Sequence, residues 1–250
     1  MPFFLQNVAV AGGTGNIGSF LVSSLASAGF TVTVLSRSSS TKANLPAGVK
    51  VKEVDYASSE SLQSALQGID VVVSATQGYD VQAEVAKAAK TVGVKLFVPS
   101  EFGNPSTDFT PTDHPALYGK KKSQELLKEL SLPALLVFTG PFPDFIFVPF
   151  FGFDFASRKV NLIGTGNTPI SFTTRSDIGP FLAHYLSTLT STSDLRPHPS
   201  LPFSASKAIV RRSSKPSLFG RNITPALKSK SAILLWKRRR RRPRTLEEIL

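Results

Sequence analysis

Short apolar runs alternate with amphipathic stretches along the first 140 residues of the chain. The apolar runs predict six strands, at Val8–Ala11, Thr31–Leu35, Val49–Val54, Val71–Ala75, Val94–Pro99 and Leu135–Thr139. The amphipathic stretches predict helices between them, at Ile17–Ala28, Ser58–Leu66, Val81–Val92 and Lys120–Leu130. Strands that alternate with helices in this way form βαβ units, and therefore a parallel sheet covered on both faces. The sequence thus predicts a doubly wound α/β fold.

The charge is distributed unevenly along the chain. Residues 1–189 contain 14 Lys and Arg residues and 14 Asp and Glu residues, whereas residues 190–250 contain 15 basic residues and three acidic ones. The net charge of +12 therefore belongs entirely to the C-terminal segment, which is rich in Ser and Pro and has no apolar periodicity. We predict that most of this segment is poorly ordered, with a short helix near Lys228–Arg239.

Composition excludes several classes of protein. The chain has no cysteine, so disulfides, thiolate metal sites and cysteine nucleophiles are ruled out, and we expect no metal site. The first residues lack the features of a signal peptide, and Pro and Asp residues interrupt the apolar stretch at 141–155. We expect a cytoplasmic protein that does not enter a membrane. A nuclear location, or contact with nucleic acid, is expected only through the basic run Lys237–Arg244.

A glycine-rich turn follows the first predicted strand directly and opens the first predicted helix. A bound pyrophosphate needs backbone amides that no Cβ shields, at the positive end of a helix dipole. In such a turn Gly12 would form the tight bend, Gly15 would allow close approach, and Gly18 would let the helix pack. The alternative is a glycine turn with a structural purpose alone. The strand before it and the helix after it favour a Rossmann-type dinucleotide site that includes Gly12, Thr14, Gly15, Asn16 and Ile17.

The end of the second strand indicates which dinucleotide binds. An NAD site usually places an acidic residue there to accept hydrogen bonds from the ribose, but this chain has Arg37, followed by Lys42. Arg37 can pair with a 2′-phosphate and Lys42 adds a second positive charge, so the sequence predicts NADP(H). The alternative is that both are solvated loop cations. Thr76 and Gln77 follow the fourth strand, where the cofactor crevice is expected to open.

Several motifs together resemble one protein family. The glycine turn, Arg37 and the string Val98-Pro99-Ser100-Glu101-Phe102-Gly103 resemble the isoflavone-reductase-like branch of the NmrA-like family, which are atypical short-chain dehydrogenase/reductases. The segment LYGKKKSQELLKEL is similar to the catalytic-lysine helix of that family, and Thr173–Leu186 to its "T…DIG" stretch. The resemblance covers residues 5–189. It implies an NADPH-dependent reductase of a small apolar or phenolic substrate, or else a non-catalytic NADP-binding regulator.

Lys120 matches the catalytic base of that family by its register in the helix. A lysine that is partly desolvated near a cationic nicotinamide has a lowered pKa, which suits proton transfer near neutral pH. One alternative is that Lys120 simply belongs to three exposed lysines at a helix start. Another is that Tyr118 and Lys122, spaced as YxxxK, act with Ser100 as the Ser–Tyr–Lys set of typical short-chain dehydrogenases.

The resemblance also predicts a substrate pocket and a division into domains. Phe102 and Phe142 lie where the family forms its pocket, and could either stack on a phenolic substrate or belong to the core. Residues 1–140 are predicted to form the NADP-binding Rossmann domain, 141–189 a partial substrate lobe, and 190–250 the basic tail. Relatives continue the lobe where this chain has its tail. We attribute that difference to a shifted reading frame, a retained intron or a lineage-specific replacement.

Overall fold

The computed structural model describes residues 3–37, 45–110, 112, 115–161, 171–191 and 205–209. Its main sheet contains six strands that match the six predicted runs: β1 (Asn7–Ala11), β2 (Thr31–Ser36), β3 (Lys50–Glu53), β4 (Val71–Ser74), β5 (Leu96–Val98) and β6 (Ala134–Phe138). Their order across the sheet is β3-β2-β1-β4-β5-β6, and all neighbours are parallel. The predicted doubly wound α/β fold is confirmed. The strand order reverses between β1 and β4, where such folds bind their ligands.

Helices follow the strands as the periodicity indicates. They are α1 (Gly18–Ser27), α2 (Ser59–Leu66), α3 (Tyr79–Thr91), α4 (Pro115–Glu129), α5 (Pro143–Ile146) and α6 (Arg175–Thr188). Helix α4 begins at Pro115 rather than at the predicted Lys120, because proline is well accommodated in the first turn of a helix. A 3₁₀ turn (Pro149–Phe151) and an antiparallel pair, β7 (Phe153–Asp154) and β8 (Lys159–Val160), follow α5. None of the helices in the described ranges is long and apolar enough to span a membrane.

Alternate residues of the central strands enter two separate cores. Val8 and Val10 of β1 face the layer formed by α1 and α6, whereas Ala9 and Ala11 face the layer formed by α2, α3 and α4. Each layer contributes apolar side chains at helical spacing, such as Leu21 and Leu25 of α1 in the first core. This two-sided burial explains why the central strands are continuous apolar runs, while β3 at the sheet edge alternates with charged residues.

Helices α1 and α6 approach each other closely at Gly179. A Cβ at this position would lie 2.5 Å from the backbone carbonyl oxygen of Phe20 and would overlap the Ser24 hydroxyl. Ile178 and Leu182 flank this contact and are fully buried in the same core. The "DIG" segment therefore has a packing role in addition to any role in the family's function.

We expect Gly179→Ala to lower the free energy of unfolding by about 1–3 kcal/mol, because the helices must separate to admit the methyl group. Urea denaturation measures this. Gly119→Ala is the matched control: its Cβ would meet Tyr79 Cβ at 3.6 Å, an ordinary contact. Alanine is the better helix former by about 1 kcal/mol, so the control should be as stable as the native chain or more so. Equal stability of the Gly179 variant and the native chain would contradict the packing argument.

Part of the predicted tail belongs to the sheet. Ala205–Ile209 forms a ninth strand, β9, which pairs in parallel with β6 along its whole length. These residues lie within the segment predicted as the basic tail. A partner strand at this edge pairs backbone groups of β6 that would otherwise be unpaired. The predicted helix near Lys228–Arg239 and the basic run Lys237–Arg244 lie outside the described residues.

Candidate active site

The glycine turn has a backbone path that only glycine accommodates at its first position. Gly12 has a φ of +76°, and a Cβ there would lie 2.8 Å from the carbonyl oxygen of Ala75 in the loop after β4. A Cβ at Gly18 would overlap the carbonyl oxygen of Gly12. The turn is closed by a hydrogen bond from Gly15 N to Gly12 O at 3.0 Å. The glycine turn and the loop after β4 therefore pack against each other at the switch point without side chains between them.

The amino terminus of α1 is open toward solvent at this turn. Its N-cap residue, Ile17, gives no side-chain hydrogen bond to the helix, and the first turn has no acidic residue. Thr14, Gly15 and Asn16 are exposed directly in front of it. Uncapped amides and the positive end of a helix dipole together suit a phosphate. The predicted residues Gly12, Thr14, Gly15, Asn16 and Ile17 thus surround one potential anion site.

Arg37 and Tyr56 lie beside the glycine turn. Arg37 follows β2 directly and is exposed at the edge of a cleft of about 780 Å³. The Tyr56 hydroxyl donates to Leu35 O at 3.0 Å, and burial raises its pKa, whereas a hydrogen bond with the Gly12 backbone and the charge of Arg37 lower it. Sequence reasoning missed Tyr56, for which the chain offers no local signal. Lys42 lies outside the described residues.

Acidic side chains form much of the remaining wall of this cleft. Glu53, Asp55, Asp80 and Glu84 line it together with Arg37. Asp55 also accepts from Ala57 N at 2.9 Å, in the turn that precedes α2. No group of His, Asp or Glu side chains in the described ranges is arranged to hold a metal ion.

Thr76 and Gln77 lie at the switch point, in the loop after β4. The backbone nitrogen of Thr76 is 3.2 Å from where a Cβ of Gly12 would be, so this loop contacts the glycine turn. The Thr76 hydroxyl is 2.9 Å from that of Ser74, which fixes the side chain, and Gln77 is exposed. Thr76 therefore adjoins the glycine turn, and Gln77 follows it in the same loop.

Lys120 is half-buried on α4 and points to the loop that follows β5. Its Nζ donates to the backbone carbonyl of Glu101, and a Cβ at Gly103 would lie 3.6 Å from it. Burial lowers the pKa of Lys120, and the charge of Glu101 opposes part of that effect. Among the three adjacent lysines, Lys120 therefore has the environment expected of a group that exchanges protons.

Two residues of the alternative Ser–Tyr–Lys set have partners outside that set. Lys122 Nζ lies over the ring of Tyr79 on α3, 4.1 Å from its centroid. Ser100 N donates to Gln82 Oε1 at 2.7 Å. Tyr118 is half-buried near the start of α4. The lysine of the YxxxK pair thus contacts a tyrosine of another helix.

Glu101, Ser106 and Gln124 form a buried polar cluster next to Lys120 that sequence reasoning did not identify. Each side chain is buried, and the three are joined by hydrogen bonds of 2.7 to 2.9 Å. One signal was available: Gln124 is four residues after Lys120, so both lie on one face of the predicted helix. The contact with Glu101 could be found only once the strand and helix were packed together.

Phe102 and Phe142 both pack in the core beneath α1 and α6. Phe102 is 7% exposed and belongs to the core cluster, and Phe142 is half-buried against it. The loops that carry them are joined, because Thr139 N and Gly140 N both donate to Gly103 O, at 3.0 and 3.1 Å. The two predicted substrate residues are thus near one another, with little of Phe102 accessible to a ligand.

The segment after α5 is rich in partly exposed phenylalanines. Phe147 contacts Phe153 at 4.9 Å and Phe172 at 5.6 Å between ring centroids. Phe145 of α5 is half exposed, and Phe155 is more than half exposed. Asp144 accepts from Arg175 Nε at 2.6 Å, tying α5 to α6. This is the region predicted as a partial substrate lobe.

One known protein family matches most of this chain. The sequence matches the profile of the NmrA-like family over residues 5–215. The chain belongs to the NmrA-like family. The resemblance seen in the glycine turn, Arg37 and the VPSEFG string is thereby confirmed.

Curated relatives of this NmrA-like protein include reductase homologues. It is 33% identical over 181 residues to the oxidoreductase aprR of Aspergillus flavus, an alignment that covers 69% of this chain and 61% of that protein. It is 31% identical over 214 residues to an isoflavone reductase homologue of Nicotiana glauca, covering 77% and 68%. The chain therefore spans about two thirds of the length of these relatives.

Solved structures with this fold include complexes with nicotinamide cofactors. The leucoanthocyanidin reductase of Vitis vinifera bound to NADPH is 25% identical, with a TM-score of 0.58, and the match covers 71% of this chain and 62% of that one. AtPrR2 with NADP⁺ and (+)-pinoresinol has a TM-score of 0.64 at 22% identity, covering 83% and 70%. The second similarity extends the shared fold to most of this chain.

Proposed function

We propose that this protein is an NADPH-dependent reductase of a small apolar or phenolic substrate. The observation that carries the proposal is the half-buried Lys120, whose pKa burial lowers, at the sheet edge where the glycine turn opens. A glycine turn alone would serve any dinucleotide-binding protein. A partly desolvated lysine at the same edge of the sheet adds a group that can transfer a proton.

The residues around the turn fit the cofactor. The Gly12 backbone leaves a cradle that a Cβ would fill, and the uncapped start of α1 would hold the pyrophosphate. Arg37 would bind the 2′-phosphate through its guanidinium, and Lys42 would add a second charge. Thr76 and Gln77 would border the crevice. The bound NADPH supplies a hydride.

Lys120 would hold or move the proton that accompanies reduction, at its Nζ. The carbonyl of Glu101 fixes the direction of that group. A lowered pKa gives a larger neutral fraction at a given pH, so the same group can accept a proton and return it near neutrality. Phe142, and the accessible edge of Phe102, would contact an apolar or aromatic substrate. Support for that class comes from the (+)-pinoresinol bound to AtPrR2.

Calorimetric titration with NADPH and NADH, followed by NADPH oxidation over a panel of phenolic and enone substrates, tests this proposal. We expect tight binding of NADPH, weaker binding of NADH, and turnover of at least one substrate. Absence of binding for either coenzyme would refute the proposal. Binding of NADPH without any turnover would instead indicate an NADP-binding regulator.

A further inference from the structure

Glu101 has a carboxylate that the fold buries almost completely close to Lys120. The residue is 1% exposed; one carboxylate oxygen accepts from Ser106 Oγ at 2.7 Å and the other from Gln124 Nε2 at 2.8 Å. Gln124 Nε2 also lies 2.9 Å from Ser106 Oγ, which closes a ring of three side chains. Each oxygen of the carboxyl group therefore accepts one hydrogen bond within the ring. A buried carboxylate is costly unless it is bonded in this way.

Helix α4 holds both ends of Glu101. Lys120 and Gln124 are one helical turn apart, and their side chains reach the backbone carbonyl and the carboxylate of the same residue. Glu101 N also donates to Pro99 O at 2.7 Å, which tightens the loop after β5. The loop therefore cannot rotate at Glu101 without breaking contacts to two side chains of α4. This double attachment fixes the carbonyl on which Lys120 Nζ rests.

The charge of Glu101 also acts on Lys120. Burial lowers the pKa of Lys120 and Glu101 raises it, so the carboxylate compensates part of the desolvation. On α4 itself the ionisable neighbours are Tyr118, Lys121 and Lys122, and Lys122 faces Tyr79 of α3. Among the described residues, Glu101 is the acidic group that counters the burial of Lys120.

We propose that Glu101 is a positioning residue for Lys120: its carbonyl fixes the location of the ammonium group, and its buried carboxylate stabilises the charged form. The catalytic part of this proposal rests on the proposed function, because it assumes that Lys120 transfers a proton. The contacts between Glu101 and Lys120 do not depend on turnover. A carboxylate that merely held the loop would act through its hydrogen bonds alone. Removing the charge while keeping the shape separates these two roles.

Glu101→Gln makes that change, and competitive acetylation with acetic anhydride across the titration range of lysine measures the result. Tandem mass spectrometry of the full-length protein distinguishes Lys120 from the adjacent lysines, and circular dichroism verifies folding. We expect the labelling midpoint of Lys120 to fall by about one pH unit, because burial then acts without a compensating charge. An unchanged midpoint in the folded variant would overturn the proposal.

Two further variants complete the test. Glu125→Gln removes an exposed charge from the same helix, so the Lys120 midpoint should stay at its native value; an equal fall there would show a general charge effect and refute a specific role for Glu101. Glu101→Asp retains the carboxylate and is informative even if Glu101→Gln does not fold. It should keep a near-native midpoint, and a fall as large as that expected for Gln would overturn the proposal.

Calorimetric titration of the same samples with NADPH separates this inference from the proposed function. Failure of the native protein to bind NADPH would refute the proposed reductase but leave the labelling result intact. Normal NADPH binding with an unmoved Lys120 midpoint in Glu101→Gln would refute only the role of Glu101. If turnover is found, the limb of the pH–rate profile that depends on Lys120 should move to lower pH in the same variant. A purely structural loss would reduce the rate without moving that limb.

Discussion

Replacing Lys120 by alanine is expected to lower kcat by about 100- to 10,000-fold, the range that general acid–base catalysis contributes, while the Kd for NADPH stays close to that of the native protein. The reason is its location: Nζ rests on the carbonyl of Glu101 after β5, separate from the glycine turn that would hold the cofactor phosphates. Steady-state kinetics measures the first effect and calorimetry the second. The native pH–rate profile should also show a limb whose midpoint lies at a lower pH than the usual pKa of lysine, since burial lowers the pKa of Lys120. That limb should be absent from the variant.

Lys121→Ala is the matched control, because it removes the neighbouring cation of the same helix and leaves the contact with Glu101 in place. Its kcat should be close to the native value. Full activity of Lys120→Ala, with a large loss of activity in Tyr118→Phe, would contradict the assignment. The role in proton transfer would then belong to the Tyr118 and Lys122 pair. The contact of Lys122 with Tyr79 leads us to expect the opposite.

The second large effect is expected for Arg37→Glu, which should abolish the preference for NADPH over NADH. A hydrogen bond to a charged group contributes about 1.5–3 kcal/mol, which corresponds to about 10- to 150-fold in Kd. Binding of NADPH should weaken by at least that factor, because the new carboxylate would also repel the 2′-phosphate. NADH should bind as well as before or better, since an acidic residue at the end of the second strand can accept from the ribose hydroxyls. Calorimetry with both coenzymes gives the ratio.

Lys159→Glu makes the same change of charge at an exposed residue of β8, a strand outside the main sheet, and controls for long-range electrostatics. Its coenzyme ratio should equal that of the native protein. An unchanged ratio in Arg37→Glu would mean that Arg37 does not touch the phosphate. The sequence interpretation of Arg37 as a solvated loop cation would then be correct.

The two phenylalanines predicted to line the substrate pocket show what the sequence could not decide. Family resemblance placed Phe102 and Phe142 near a substrate, but periodicity could not decide between pocket and core. The structure buries Phe102 to 7% exposure, because the loop after β5 is joined to the loop after β6 through Gly103. That connection links residues far apart in the chain, and no local pattern encodes it. The pairing of β9 with β6 likewise joins residues that are far apart in the chain.

The chain itself determined the order of strands and helices and the site of the glycine turn. These features follow from local sterics and hydrophobic periodicity, which act within a few residues. Tertiary packing decided that Lys122 lies over the ring of Tyr79 and that Lys120 contacts the carbonyl of Glu101. Such contacts depend on how a helix is placed against a loop from another strand. Burial and charge act over that spatial distance, so the properties of Lys120 became visible only in the folded protein.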